Sequence, residues 1–277
     1  MFRPFPLLIA LMYVLPPAHV QMQGSSTDHA VRVDAEHVAG PVPDDDTKRS
    51  SPFKIGERLV FSIEYGFVTA GEATMSVVGV DTINGHPSFH LQTLARTNEI
   101  FSTFYNVNDR VESHLDMEGL FSRHFVKSLR EGSYKKDLEV YFDQEGGYAH
   151  YVDGDSIPAL PMTQDVLSAF FYLRTRDLSV GKTYSFPCQD NRKNYPLIVK
   201  VLRREKVLVP AGKFDCYVVE PRMRTGGLMK KEAKMKIWLT ADERKMPVRM
   251  ETKMKIGSIA AKLQEYKVDI PGSDKDR

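Results

Sequence analysis

The sequence predicts an all-β, mainly antiparallel fold, a curved meander sheet forming a barrel-like or sandwich domain, with one helix around residues 165–178. Three observations carry this. Runs of strand length alternate apolar and polar side chains, as in Leu59, Phe61, Ile63 and Tyr65 against Arg58, Val60, Ser62 and Glu64. Tight-turn signals recur between those runs, at Asn84-Gly85, Glu118-Gly119, Gly132, Gly146-Gly147 and Pro210-Ala211-Gly212. Only the stretch DVLSAFFYLRTRDL, Asp165 to Leu178, repeats its apolar residues every three and four positions.

At the N-terminus, Arg3 precedes the apolar run Leu7 to Leu15, and Pro16 and Pro17 end it. This is the layout of a secretory signal peptide, too short for the ~20 residues that span a bilayer. Residues 1–24 are therefore read as a signal peptide and the protein as periplasmic, the alternative being a tether to the membrane through an uncleaved signal. No small-x-small site fixes the cut: cleavage after Ala18 leaves Pro16 three positions back, and cleavage after Gly24 leaves Met22. Residues 25–52 collect Pro41, Pro43, Asp44, Asp45, Asp46, Ser50 and Ser51 without periodicity and read as a disordered polar tether. A single β domain follows over 53–270, then a disordered tail over 271–277.

Within the domain, the run at Leu59 ends at Gly66. Ala73, Met75 and Val77 resume the alternation, and Asn84-Gly85 turns the chain into Phe89, Leu91, Thr93 and Ala95. Val107 to Leu115, Leu120 to Leu129, Leu138 to Phe142 and Tyr148 to Tyr151 continue the meander. In the helix, Val166, Ala169, Phe170 and Leu173 form an apolar stripe, with Arg174, Arg176 and Asp177 on the opposite side; Asp165 caps the first turn and Gly181 stops the chain beyond the last. Strands return at Thr183 to Pro187, Leu197 to Leu202, Lys206 to Val209, Phe214 to Val219, Ala233 to Leu239, Pro247 to Ile256 and Ala261 to Val268. A helix inside so many strands plugs an open end or covers one face.

The segments LVFSIEYGFVTAGEATMSV, FYNVNDRVESHLD, Glu131-Gly132 before Tyr134-Lys135, LSAFFYLR, VPAGKFDCY, Pro221-Arg222 and KIWLTADERKMPVRMETK resemble, in content and order, the bacterial exported proteins grouped as domain of unknown function 3108. The resemblance covers nearly all of Phe53 to Ala261. It implies a signal peptide, a mostly antiparallel β fold and a Gram-negative envelope location, and it implies no activity.

Chemical motifs are scarce. With 277 residues, 42% apolar and 27% charged, and a formal charge of +2, the chain has no field to draw it onto nucleic acid. Gly181-Lys182-Thr183 lacks the upstream glycine of a phosphate loop and stands between helix and strand in the wrong order. Ser133 with Lys136, and Ser51 with Lys54, have the serine-x-x-lysine spacing, but in a turn and in the tether rather than at a helix start. His86 and His90 flank a strand on which four residues span about 13 Å, too far for one zinc ion, and His114, His124 and His150 fall on different strands. Satisfied or solvated histidines are the default, and neither metal nor cofactor is assigned. Asp153-Gly154-Asp155 reads as a turn, without the glutamate that closes a calcium loop.

Cys188 and Cys216 are the only cysteines. They either form a disulfide, worth about 3.5 kcal/mol in the chain-entropy model, or stand apart as buried thiols, and spacing leaves both open. Phe101, Phe104 and Tyr105, close in sequence to Asp109 and Arg110, are candidates to rim a pocket. Arg222, Lys234 and Lys236 are candidates for an anionic head group or glycan, against a plain solvated face. With no catalytic constellation, the expected function is non-catalytic binding of an apolar or amphipathic envelope ligand, a lipid or glycan. The alternatives are a scaffold docking to an envelope protein partner, favoured by a filled core with an exposed apolar patch, and a hydrolase assembled from distant residues.

Overall fold

The computed structural model describes residues 51–223, 235–253 and 257–267. The proposed signal peptide, nearly all of the tether, Lys234 and the C-terminal tail lie outside the described residues. The chain runs β1 (Arg58–Tyr65), β2 (Val68–Ile83), β3 (His86–Thr97), α1 (Glu99–Ser102), β4 (Asn108–Asp116), β5 (Ser122–Glu131), β6 (Tyr134–Asp143), β7 (Tyr148–Tyr151), β8 (Ser156–Pro158), α2 (Val166–Arg174), β9 (Thr183–Asp190), β10 (Lys193–Val209), β11 (Gly212–Met223), β12 (Met235–Thr240), β13 (Pro247–Lys253) and β14 (Ser258–Lys267).

Every ladder is antiparallel, and the strands form one 14-stranded sheet in the order β8-β7-β6-β5-β4-β3-β2-β1-β14-β13-β12-β11-β10-β9. The first strand pairs with the last, so the two sheet edges are β8 and β9, the strands on either side of α2. These edges do not share a ladder. Side chains join them instead: Asn194 Nδ2 donates to the Pro158 carbonyl at 2.6 Å, Tyr151 Oη donates to Gln189 Oε1 at 3.1 Å, and Arg192 reaches Asp153 and Asp155 while lying over the Tyr151 ring. The sheet therefore curls into a barrel with a side-chain seam. Register shifts at Val60/Phe61, Val77/Gly79, His114/Leu115, Val201/Arg203 and Trp238/Leu239 supply local bends that let long strands coil.

The hairpin chemistry is as expected. Asn84 and Gly85 both take positive φ, 49° and 86°, as a two-residue turn of the mirror-image type requires. Inward side chains from every long strand, with Leu167, Phe171 and Leu173 of α2, make one continuous apolar cluster.

The helix is shorter than expected, and a different face is buried. It ends at Arg174, with Thr175 as its C-cap, rather than continuing to Leu178. Leu167, Ser168, Ala169, Phe171, Tyr172, Leu173 and Arg174 are buried, whereas Val166 and Phe170 are only half-buried. Arg174, placed by its periodicity on the polar side, is fully buried. Its guanidinium grips Glu57 at 2.7 and 2.9 Å, donates to the Arg244 carbonyl in the β12–β13 turn at 3.1 Å, and lies 5.3 Å from the Phe53 ring centre and 5.2 Å from that of Phe171. The helix thus closes one end of the barrel.

Asp165 does cap the helix. It accepts from the Leu167 and Ser168 amides, at 2.7 and 2.9 Å, and also from the Ser113 and Ser122 hydroxyls of β4 and β5, at 2.6 and 2.5 Å. One carboxylate both starts the helix and fixes it to the barrel wall. Burial pushes this carboxyl up, against those four hydrogen bonds.

The two cysteines are separate. Both are buried free thiols, Cys188 on β9 and Cys216 on β11. Cys188 Sγ lies 3.3 Å from Tyr195 Oη, and burial pushes the Cys216 thiol up to about 12. Of the two alternatives the sequence left open, the structure takes the buried thiols.

Candidate functional site

At the end of the barrel opposite α2, the β1–β2 turn, α1 and the β5–β6 turn emerge side by side. Asn98 fastens the first two together: its side chain donates to the Thr69 carbonyl at 2.8 Å, its amide donates to the Ala70 carbonyl at 2.9 Å, and its Oδ1 accepts from the Phe101 amide as the cap of α1. Gly132 in the third turn donates to the Asn106 carbonyl at 2.7 Å. A Cβ at Gly132, whose φ is 56°, would stand 2.8 Å from the Tyr105 ring, so the turn admits the ring only as glycine.

This rim carries exposed apolar side chains. Phe67 is fully exposed, at 105% of its reference area, Phe104 is at 86% and Ile100 at 72%, with Val68 also exposed beside them. Phe101 and Tyr105, by contrast, are half-buried, Tyr105 packing on the core.

The candidates Phe101, Tyr105, Asp109, Arg110 and Arg222 are not brought together as a set. Asp109 and Arg110 are neighbours on β4, and the pleat sends them to opposite faces. Asp109 points inward and is buried; Arg110 points outward to Glu112, 2.7 Å away. Arg222 stands on β11, separated from β4 by six strands in the sheet order, with its guanidinium on Glu220. Lys236 is a half-buried residue of β12.

Beneath the rim, Tyr105 and Asp109 do meet a residue that sequence reasoning passed over. Asp109 interacts electrostatically with Glu131, and its Oδ1 accepts from the Arg130 amide at 2.7 Å. Burial pushes the Asp109 carboxyl up, against the pull of that amide, of Glu131 and of the Arg130 charge. Burial, then Glu131 and Asp109, push the Tyr105 hydroxyl up to about 12. Two buried carboxyls in contact hold a proton more readily than either alone.

The folded protein accordingly retains a proton at Asp109 that the unfolded chain releases near pH 4. The native state binds more protons in that range, so this group's contribution to stability falls as pH rises from about 4 through its elevated folded value. Asp109→Asn, which keeps an acceptor for the Arg130 amide and adds a donor for Glu131, is expected to raise the melting temperature at pH 7. The gain should shrink towards pH 4; calorimetry at both values checks this, and an equal shift at both would contradict it.

A second constellation lies on the outer face. The register sets His90, His114, His124 and Tyr141 directly opposite one another across β3, β4, β5 and β6. Their rings stack at centroid separations of 4.7, 5.1 and 4.1 Å. Asp81 Oδ2 on β2 meets His90 Nδ1 at 3.1 Å and His114 Nε2 at 3.0 Å. His90 Nε2 meets Glu112 Oε1 at 3.0 Å, His114 Nδ1 meets His124 Nδ1 at 3.2 Å, and His124 Nε2 meets Glu139 Oε1 at 3.0 Å. Burial, with the neighbouring His90 and His124, holds His114 below the usual imidazole range against the attraction of Asp81. Burial would raise Glu112, but hydrogen bonds from Arg110, Gln92 and His90 outweigh it and hold the carboxyl low.

The sequence spacing hid this row, because residues 24 and 10 positions apart become neighbours only through strand register. His86, which the strand spacing puts too far from His90 to share an ion, meets Arg123 Nη2 at 3.2 Å.

Among solved structures, the fold is similar to that of a β-barrel-like protein of the family DUF1849 from Brucella abortus, with a TM-score of 0.55 at 11% identity over 79% of this chain and 99% of that one. At this identity the likeness is one of fold alone. A candidate lipoprotein from Parabacteroides distasonis matches at a TM-score of 0.36 and 12% identity over 79% and 99% of the two chains. A candidate exported protein of YmcC-like fold from Bacteroides fragilis matches at 0.36 and 13% over 78% and 97%. No curated protein matches the sequence. Among the described residues, no helix is long and apolar enough to cross a membrane. The sequence model of the proteins of unknown function designated DUF3108 matches residues 60–264, most of the barrel from β1 to β14, and the chain belongs to that family.

Proposed function

We propose that this is a non-catalytic envelope protein that binds an amphipathic lipid through its apolar rim. The observation that carries the reading is the pair of almost fully exposed rings, Phe67 and Phe104, flanked by Ile100 and Val68 on two connections that Asn98 ties together. Large aromatic side chains held out on turns leave about 1.5–3 kcal/mol each unrealised in water and regain it in an apolar phase. The inward side chains already pack on one another and on α2, which favours binding at the rim over enclosure within the barrel. An N-terminal export signal would bring the protein to lipid. A protein partner on the same rim is the second reading, favoured by that filled interior.

Flotation of the full chain with phosphatidylethanolamine–phosphatidylglycerol vesicles tests the proposal. The variant Phe67→Ser/Phe104→Ser is expected to partition at least about tenfold less than wild type, since each inserted ring contributes more than 1.4 kcal/mol. Equal partitioning of variant and wild type would place vesicle binding elsewhere on the chain. A wild-type chain that leaves the vesicles untouched would transfer the rim to a protein partner.

A further inference from the structure

We propose that Asp81, His90 and His114 form a binding site for a divalent transition metal ion of the zinc class on the outer face of the barrel. The site is independent of the rim. Asp81, His90 and His114 each offer a ligand atom within 4.8 Å of the other two, and Asp81 Oδ2 stands 3.1 Å from His90 Nδ1 and 3.0 Å from His114 Nε2. Ligand bonds of about 2.0–2.2 Å put donor atoms roughly 3.3 Å apart around a tetrahedral ion, so the two oxygen–nitrogen contacts need to open by only a few tenths of an ångström.

Hydrogen-bond accounting points the same way. His90 has a carboxylate oxygen at each ring nitrogen, Asp81 at Nδ1 and Glu112 at Nε2. The pair His114–His124 must serve Asp81 at one end, Glu139 at the other, and the nitrogen–nitrogen contact between them. Three neutral imidazoles supply three N–H groups for these five contacts, and two are left without a proton.

A metal on His90 Nδ1 and His114 Nε2 removes both shortfalls. His90 Nε2–H then donates to Glu112, His114 Nδ1–H donates to His124 Nδ1, and His124 Nε2–H donates to Glu139. Every remaining contact joins one donor to one acceptor. Glu112, Glu139 and His124 thereby become the outer partners that orient metal-bound imidazoles, as ligating histidines require. Glu112 is itself fixed by Gln92 Nε2 at 2.8 Å and Arg110 Nη2 at 2.7 Å.

Access and metal class also follow from the residues. Asp81 is half exposed, and the residue opposite His90 on β2 is Gly79, where a Cβ would meet nothing within 4 Å. The bulge at Val77/Gly79 brings Asp81 onto the face of His90. Two imidazoles and one carboxylate with open positions suit zinc and its first-row neighbours, rather than magnesium or calcium, which take all-oxygen shells.

The test is titration of the chelator-stripped full chain with Zn2+, followed by calorimetry, and with Co2+, followed by visible absorption. The N-terminal His19, His29 and His37 are competing ligands in the same chain, so variants decide the location. Wild type is expected to bind zinc, Asp81→Ala to weaken that binding at least about tenfold, His90→Gln to abolish it, and His150→Gln to leave it unchanged. Asp81→Ala is decisive should His90→Gln fail to fold, because the Asp81 side chain is half exposed and leaves the core untouched. Absence of zinc binding by wild type, or zinc binding that Asp81→Ala retains in full, would overturn the proposal.

Discussion

Replacing Arg174 by alanine is expected to destabilise the protein by about 3–5 kcal/mol, the range for removing one partner of a buried ion pair. The reason lies in what remains. Glu57 is almost completely buried, and without the guanidinium its carboxylate would be left inside the protein with no counter-charge. The Arg244 carbonyl in the β12–β13 turn would lose its donor as well. Arg174→Lys should recover little of the loss, because a compact ammonium lacks the planar fork that grips both Glu57 oxygens from two nitrogens. Arg174→Met with Glu57→Gln should cost less than Arg174→Ala, since it leaves no buried charge behind. Urea unfolding of the three variants checks this order, and an Arg174→Ala midpoint within error of wild type would refute the structural role.

That residue also marks the boundary of what the sequence could tell. Alternation and turn pairs revealed the strands, because each is a local rule: Asn84-Gly85 needs only its own backbone torsions to be read. The cap at Asp165 was legible for the same reason. The inward turn of Arg174 was not, since helical periodicity assigns a side to a residue by its neighbours and has no knowledge of Glu57, 117 positions earlier. The pleat similarly divides Asp109 from Arg110, which looked like one cluster in the linear text. His90, His114 and His124 are the extreme case, with nothing in their spacing to suggest a row until strand register supplies it. Contacts of short range were readable, and the polar constellations, assembled at long range, were not.

Asp190→Ala is the second large effect expected, again about 3–5 kcal/mol at neutral pH, and it should report on barrel closure. Lys127 of β5 donates to Asp190 at 2.8 Å across the interior, and both side chains are buried. Burial pushes the Lys127 ammonium down, with Asp190 the first influence opposing it. Without Asp190 the folded state would shed the lysine proton at still lower pH, while the unfolded chain keeps it to about 10.4. The unfolded state then binds more protons, so the stability of the variant should rise with pH from neutrality towards that value. A variant whose deficit is the same at pH 6 and pH 9.5 would rule out the lysine's lost counter-charge as the cause. Asp190 also belongs to edge strand β9, and its neighbours Asn191, Arg192 and Asn194 reach Lys136, Asp153, Asp155 and Pro158 across the interior and the seam. Since no ladder joins β8 to β9, these side chains close the seam together with the isolated main-chain bridge of Gln164 to Cys188, and the buried pair is the one least screened by water. Amide exchange in the variant should therefore accelerate first in β7, β8 and β9. Lys127→Met/Asp190→Ala should cost less than the two single losses added together, because it removes the stranded charge along with its partner.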